Sequence, residues 1–308
     1  MSEHIPVLLK ETIEGLNIKK DGIYLDLTLG RAGHSSEILK RLDKGLLIGV
    51  DQDQEAIDKS EEQLKAIGGN YKIIKSNFSF INDILKDLNI DYVDGVLMDL
   101  GVSSPQFDEG ERGFSYRVDA PIDMRMDQEQ RLSAKEILNN YSVEELTKIF
   151  RDYGDEKYAY QISKNIVRYR LNKPIETTFE LVDIIKASKP MKELKKVGHP
   201  AKQVFQALRI AVNDELNVLT KTLNDILPHL RENGGRLAVI TFHSGEDRIV
   251  KNIFKEAAVE IGDRYDGPRK EKEKQYRLVN NKPIVSGKEE LEINHRSASA
   301  KLRIIERK

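Results

Sequence analysis

The sequence contains no cysteine. Disulfides and thiolate metal sites are therefore excluded. Nowhere does an apolar run approach the roughly 20 residues of a membrane-spanning helix. The opening Met1-Ser-Glu-His-Ile-Pro also lacks the basic and apolar regions of a signal peptide. A soluble, cytoplasmic protein is the expectation. Net charge is nearly absent as well, with 50 Lys+Arg set against 51 Asp+Glu.

What is present is length. At 308 residues, 39% hydrophobic and 33% charged, the chain can bury a full core. One large domain with an insertion, or two domains, would suit it. The charge is unevenly spread. Residues 264–308 hold 13 basic side chains against 7 acidic ones, and 186–209 hold 7 against the single Glu193. Such patches suit a polyanionic partner, or serve as solvated helix faces.

Short apolar runs alternate with helical spacing over the first hundred residues. Strands are predicted at 23–28, 46–50, 71–75 and 93–99, with helices at 37–42, 55–66 and 80–88 between them. This alternation predicts a parallel, doubly wound sheet. It then stops, and 142–153, 156–171 and 178–187 carry helical spacing instead. A small inserted helical domain is predicted at 131–204, inside a discontinuous domain formed by 1–130 and 205–308. One long helix over 204–230, a strand at 236–242, a helix at 246–260 capped by Ser244 and Asp247, and an alternating final strand at 300–305 complete the pattern.

In open α/β sheets, ligands bind at the carboxyl ends of the strands. Each end here carries a polar device. Gly30 and Gly33 follow the first strand and allow close backbone approach. Asp51 ends the second, where an acid can accept hydrogen bonds from a ribose diol. Asn77 and Phe78 close the third and offer an amide and a ring face. Asp99 ends the fourth, followed by Ser103-Ser104-Pro105. The fingerprint Gly-x-Gly-x-x-Gly is missing, which disfavours nicotinamide dinucleotides and favours S-adenosylmethionine, a nucleoside without phosphate.

The motifs Asp26-x-Thr-x-Gly-x-x-Gly-His-Ser35, Asp99-Leu-Gly-Val-Ser-Ser-Pro-Gln106, Arg112-Gly-Phe-Ser, Asp123-Met-Arg-Met-Asp127, His199-Pro-Ala and Phe242-His-Ser occur in order along the chain, with Glu246-Asp-Arg248 and Ser299-Ala-Lys-Leu-Arg303 after them. In this the sequence resembles the bacterial small-subunit ribosomal RNA cytosine-N4 methyltransferases. The resemblance implies a class I S-adenosylmethionine-dependent methyltransferase fold, S-adenosylmethionine as methyl donor and a target cytidine in the decoding region. It also implies a donor site of Ala32, Gly33, His34, Asp51, Phe78, Asp99 and Gln106. Ala32 stands where the family often has glycine.

No metal is needed to move a methyl group off a sulfonium. The expected machinery is positioning, plus an acceptor for the amine's hydrogens. Asp99 is the candidate, with Ser103 and Ser104 shaping the pocket; Asp99 holding the methionine amine is the alternative. Phe114 is the candidate stacking ring for an unstacked base, or else a core anchor. Arg112, Arg125, Arg209 and Arg248 are candidates for phosphate contacts, or members of structural Asp–Arg pairs. His243 is a candidate substrate contact. The expected partner is small-subunit ribosomal RNA within the assembled subunit, with a homodimer left open. Methylation of another amino group on DNA or protein, a non-catalytic RNA-binding role and a dehydrogenase are the rival readings.

Overall fold

A computed structural model describes residues 6–101, 111–258 and 275–308. Among these, seven strands form one sheet in the order β3-β2-β1-β4-β5-β7-β6. Strands β1 (Ile23–Asp26), β2 (Leu46–Asp51), β3 (Tyr71–Lys75), β4 (Gly95–Asp99) and β5 (Arg236–Thr241) run parallel. The strand β7 (Lys301–Arg307) is antiparallel to β5 and to β6 (Tyr276–Leu278). This order, with β7 reversed beside β5, is the class I methyltransferase fold expected from the sequence.

Burial on both faces explains the continuous apolar strands. Leu25, Ile48, Val96, Met98, Leu237 and Val239 point into one core layer. Their neighbours Tyr24, Leu47, Leu97, Ala238 and Ile240 point into the other. The helices Ile81–Asp87, Glu215–Ile226 and Ser244–Ala257 supply residues to the first layer. Helices α1 (Leu9–Leu16) and α2 (Gly33–Leu39) supply the second. The final strand is buried from Leu302 to Glu306 rather than alternating, because both of its edges are paired and both faces covered.

The chain divides into two compact units, Met1–Gly101 with Leu216–Lys308, and Val102–Glu215. The sequence reading drew its boundaries at 130/131 and 204/205. The helix Lys202–Asn213 and the segment around Phe114 belong to the second unit because both bury apolar side chains in its core. That core collects Phe114, Ile122, Met124, Phe150, Ile166 and Phe205. The helices Ala134–Asn140, Val143–Asp152 and Thr178–Ser188 each start in a capping box, on Ser133/Glu136, Ser142/Glu145 and Thr177/Glu180.

Some local expectations fail for identifiable reasons. The helix predicted over 204–230 breaks at Asp214, whose φ of 49° is left-handed. A second helix follows over Glu215–Ile226, and a 3-10 turn then contains Pro228. The helix predicted at 37–42 begins earlier, at Gly33, so Ser35 and Ser36 lie inside α2. Ser244 is the first residue of its helix; the cap is His243, whose Nδ1 accepts from the backbone N–H of Glu246. No described helix is long and apolar enough to cross a membrane.

The described part of the loop after β4 is held tightly. Arg112 donates through Nη2 to the carbonyls of Arg125 (2.6 Å) and Met126 (2.9 Å), and Met124 N–H donates back to Arg112 O (2.9 Å). Asn213 bonds both the N–H of Met126 and the carbonyl of Met124, at 2.9 Å each. Gly113 makes this crossing possible. Its φ is +74°, and a Cβ there would lie 2.4 Å from Pro121 O, a backbone atom that cannot swing away. Gly113→Ala should therefore cost about 3 kcal/mol, from left-handed strain plus the clash. Calorimetric melting would read this as a clear fall in Tm; an unchanged Tm would show that the loop does not adopt this backbone.

Candidate active site

The carboxyl ends of β1, β2 and β4 lie together because the three strands are adjacent and parallel. Asp26 pairs in register with Gly49 of β2 and Leu97 of β4. Asp51 and Asp99 each lie two residues further on, so they flank β1 on the same rim of the sheet.

Asp51 is fastened by backbone. Its Oδ2 accepts from Gly30 N–H (2.8 Å) and its Oδ1 from Asp53 N–H (2.9 Å). Burial raises its pKa, and these two bonds hold the rise in check. Each oxygen retains a second acceptor direction, which is what a vicinal diol requires. The turn below is built from left-handed backbone. Gly30 has φ 53°, and Ala32, fully buried, has φ 55°. A left-handed alanine costs about 1–2 kcal/mol, so a residue for which glycine is the easier choice has been kept. Gly33 then opens α2, and a Cβ on it would press on the Pro6 ring at 2.4 Å.

His34 is buried at the start of α2. Its Nε2 donates to Val7 O (3.0 Å), so that nitrogen carries the ring proton, and Nδ1 lies 3.7 Å from Asp99 Oδ2. Phe78 opens a 3-10 turn, is half-buried, and leans on the first core layer. Asn77, beside it, donates to Gln52 Oε1 (2.9 Å) and ties the ends of β3 and β2 together.

Asp99 is the anomaly. Its backbone N–H donates to Thr28 Oγ1 (2.6 Å), but its side-chain Oδ1 is buried with no hydrogen-bond partner among the described residues. Burial is the main cause that pushes its pKa well above the carboxylate range, and the charges of Asp26 and Glu246 push it further. Those two neighbours are better provided for. Asp26 accepts from Ser35 Oγ (2.7 Å) and Thr28 N–H (3.1 Å), yet burial still lifts it to about 6. Glu246 accepts through Oε2 from the N–H groups of Phe242 (2.8 Å) and His243 (3.2 Å). The sequence reading gave Asp26, Thr28 and Glu246 no role at the site. The first two lie in the glycine-turn motif, and an Asp closing a strand was the available signal.

The remaining candidates divide differently. Ser103, Ser104 and Gln106 fall outside the described residues. Phe114 is 3% exposed inside the second unit's core, with Arg112 over its ring at 5.6 Å. It is a core anchor, and the stacking role is corrected. Arg125 is spent on Asp123 (2.9 Å from Nε, 2.8 Å from Nη2) and on the carbonyls of Gln128 and Gln130. Arg209 forks onto Glu215 with two bonds of 2.8 Å. These two and Arg112 hold the fold together. Arg248 alone of the four is exposed and pairs with no described acid; the neighbouring Asp247 is bound to Arg303 (2.7 Å) and Lys301 (3.3 Å).

Comparison with known proteins places this geometry. The MraW methylase family matches residues 1–308. The chain is 52% identical over 307 residues to the ribosomal RNA small subunit methyltransferase H of Clostridioides difficile (strain 630), covering 99% of this chain and 98% of that protein. It is 53% identical over 312 residues to the protein of the same name from Mesoplasma florum, covering 100% of each. Matched from end to end, the chain belongs to the MraW methylase family.

Proposed function

We propose that this enzyme transfers a methyl group from S-adenosylmethionine to the exocyclic N4 amine of a cytidine in the decoding region of small-subunit ribosomal RNA, acting in the cytoplasm on the assembled small subunit. The observation that carries the reading is the unpartnered, buried Asp99 Oδ1 on the same rim as the backbone-fastened Asp51. The names of the relatives support ribosomal RNA as the substrate.

The residues present fit the donor. Asp51 would hold the ribose diol, Phe78 the base, and the Gly30–Gly33 turn would admit the amino-acid portion. When bound, S-adenosylmethionine supplies an electrophilic methyl carbon on a positively charged sulfur. The protein's task lies with the amine. A cytosine 4-amino nitrogen is a weak nucleophile because its lone pair is delocalised into the ring. Asp99 accepts an N–H hydrogen bond and lets the lone pair localise on nitrogen. Positioning of the two reactants can contribute about 7–11 kcal/mol. After transfer the nitrogen carries one proton too many. A carboxylate whose pKa is already raised is a competent place for it. Ser35 and Thr28 keep Asp26 from competing.

Three outcomes test this. Isolated small subunits incubated with the enzyme and labelled S-adenosylmethionine should yield N4-methylcytidine on digestion to nucleosides, and free ribosomal RNA should yield less. Label in another nucleoside, in DNA or in protein would reject the assignment.

Asp99→Ala should lower kcat by about 10²–10⁴ with donor affinity, measured by calorimetry, changed only a few-fold. Loss of donor binding with kcat spared at saturation would assign Asp99 to the methionine amine instead.

Activity should fall on acidification from a pH well above the ordinary carboxylate range, because Asp99 must be ionised to accept and its pKa is raised. The stability sign is opposite. The folded chain holds this proton more tightly than the unfolded chain, so stability declines as pH rises from about 4 through the raised folded pKa. Asp99→Asn should therefore melt higher than the parent at pH 8, and show a shallower decline of Tm with pH. A lower Tm at pH 8 would mean that the buried charge is compensated.

A further inference from the structure

With Phe114 buried and Arg112, Arg125 and Arg209 engaged, the second unit needs another surface for RNA. It has one. The rings of Tyr116 and His199 stack at 4.2 Å between centroids with 10° between planes, and Tyr116 meets Phe205 edge-on at 5.7 Å. Both members of the stack are partly exposed, while Phe205 is core. The loop that carries His199 is fixed from beneath. Lys189, 8% exposed, donates to Glu156 (2.6 Å) and to Pro200 O (2.7 Å). His199 Nδ1 accepts from Ala201 N–H (3.2 Å), so Nε2 carries the ring proton, and Nε2 bonds to no described residue. Burial lowers the pKa of His199, and Lys186, Arg117 and Lys189 lower it further, so the ring is neutral at physiological pH. Beside it, Arg117 and Lys186 are exposed and pair with no described acid.

We propose that the Tyr116–His199 stack, flanked by Arg117 and Lys186, is where the second unit holds single-stranded RNA: a splayed base lies on the ring pair and the two cations take the adjoining phosphates. Base–aromatic stacking needs a π-face with positive charge beside it and is tolerant of sequence, and both are present. The neutral Nε2–H adds one donor for a base edge. Arg117 and Lys186 are held near the ring, whereas the fork of Arg209 is spent on Glu215. The inference rests on the reading of ribosomal RNA as substrate.

The test is steady-state methylation of isolated small subunits with the full-length enzyme. His199→Ala should raise KM for subunits about tenfold, with kcat, donor Kd and Tm unchanged, and His199→Phe should restore KM to within about threefold. Arg117→Gln combined with Lys186→Gln should make the log–log salt dependence of RNA binding shallower by about 1.4, two phosphate contacts being lost. KM within twofold of the parent in all three variants would overturn the proposal. So would a raised KM in His199→Ala with the salt slope unaltered in the charge variant, which would mark a protein-binding surface. A parent enzyme that methylates no small subunits would instead bring down the functional reading itself.

Discussion

Like charges crowded where water is scarce set the terms for this molecule. Asp26, Asp99 and Glu246 stand close enough at the end of the sheet that, after burial, the charge of Asp26 and then that of Glu246 raise the pKa of Asp99. A buried carboxylate without compensation is expensive and tends to neutralise. The fold provides for two of the three. Asp26 receives the hydroxyl of Ser35 and the amide of Thr28, and Glu246 receives two consecutive amides of the turn after β5. The remaining cost falls on Asp99. A sequence selected for stability alone would replace it. Its place at a strand end, with the side chain still 25% exposed, is what the proposed role as acceptor rests on.

Much of the sheet was legible in the sequence because parallel strands covered on both faces become unbroken apolar runs. Runs such as Leu46-Leu-Ile-Gly-Val50 have few other readings. The strand ends were legible because polar residues halt those runs abruptly at Asp51 and Asp99. What was illegible depended on pairing across the chain. Arg112 satisfies carbonyls that lie on the far side of a turn, and Arg209 meets Glu215 only because the helix breaks at Asp214. No spacing rule distinguishes such arginines from ones left free for phosphate. Phe114 stayed open for the same reason: a lone aromatic in a polar stretch suits stacking and anchoring equally, and only burial decides.

His243 illustrates a different limit. Capping boxes are read from Ser, Thr, Asp or Asn followed by Glu, and the nearby Ser244 drew the assignment. The imidazole takes the cap instead, because its Nδ1 can accept an N–H as a hydroxyl does, while Glu246 returns to the amides at the helix start. The same Glu246 then raises the pKa of Asp99. A local helix signal and a tuning element of the site are thus one residue, and the helix-level reading was correct in kind but displaced by one position.

Asp51 and Asp99 make the sharpest comparison in the structure, because geometry treats them alike. Each sits two residues beyond the partner of Asp26, one on either flanking strand. Each is desolvated. Yet the amides of Gly30 and Asp53 point at Asp51 and restrain its pKa, while among the described residues no group that lowers a pKa acts on Asp99. The difference follows from the loops. The turn after β1 is forced into left-handed backbone at Gly30 and Ala32, and that conformation presents Gly30 N–H toward β2 rather than β4. One acid is thereby made a fixed acceptor, suited to neutral hydroxyls that never need to give up a proton. The other is left basic and unsatisfied, suited to an amine that must. On the proposed reading, two carboxylates with separated proton affinities on one rim would divide binding from chemistry, and in this chain the separation originates in the backbone of the first loop.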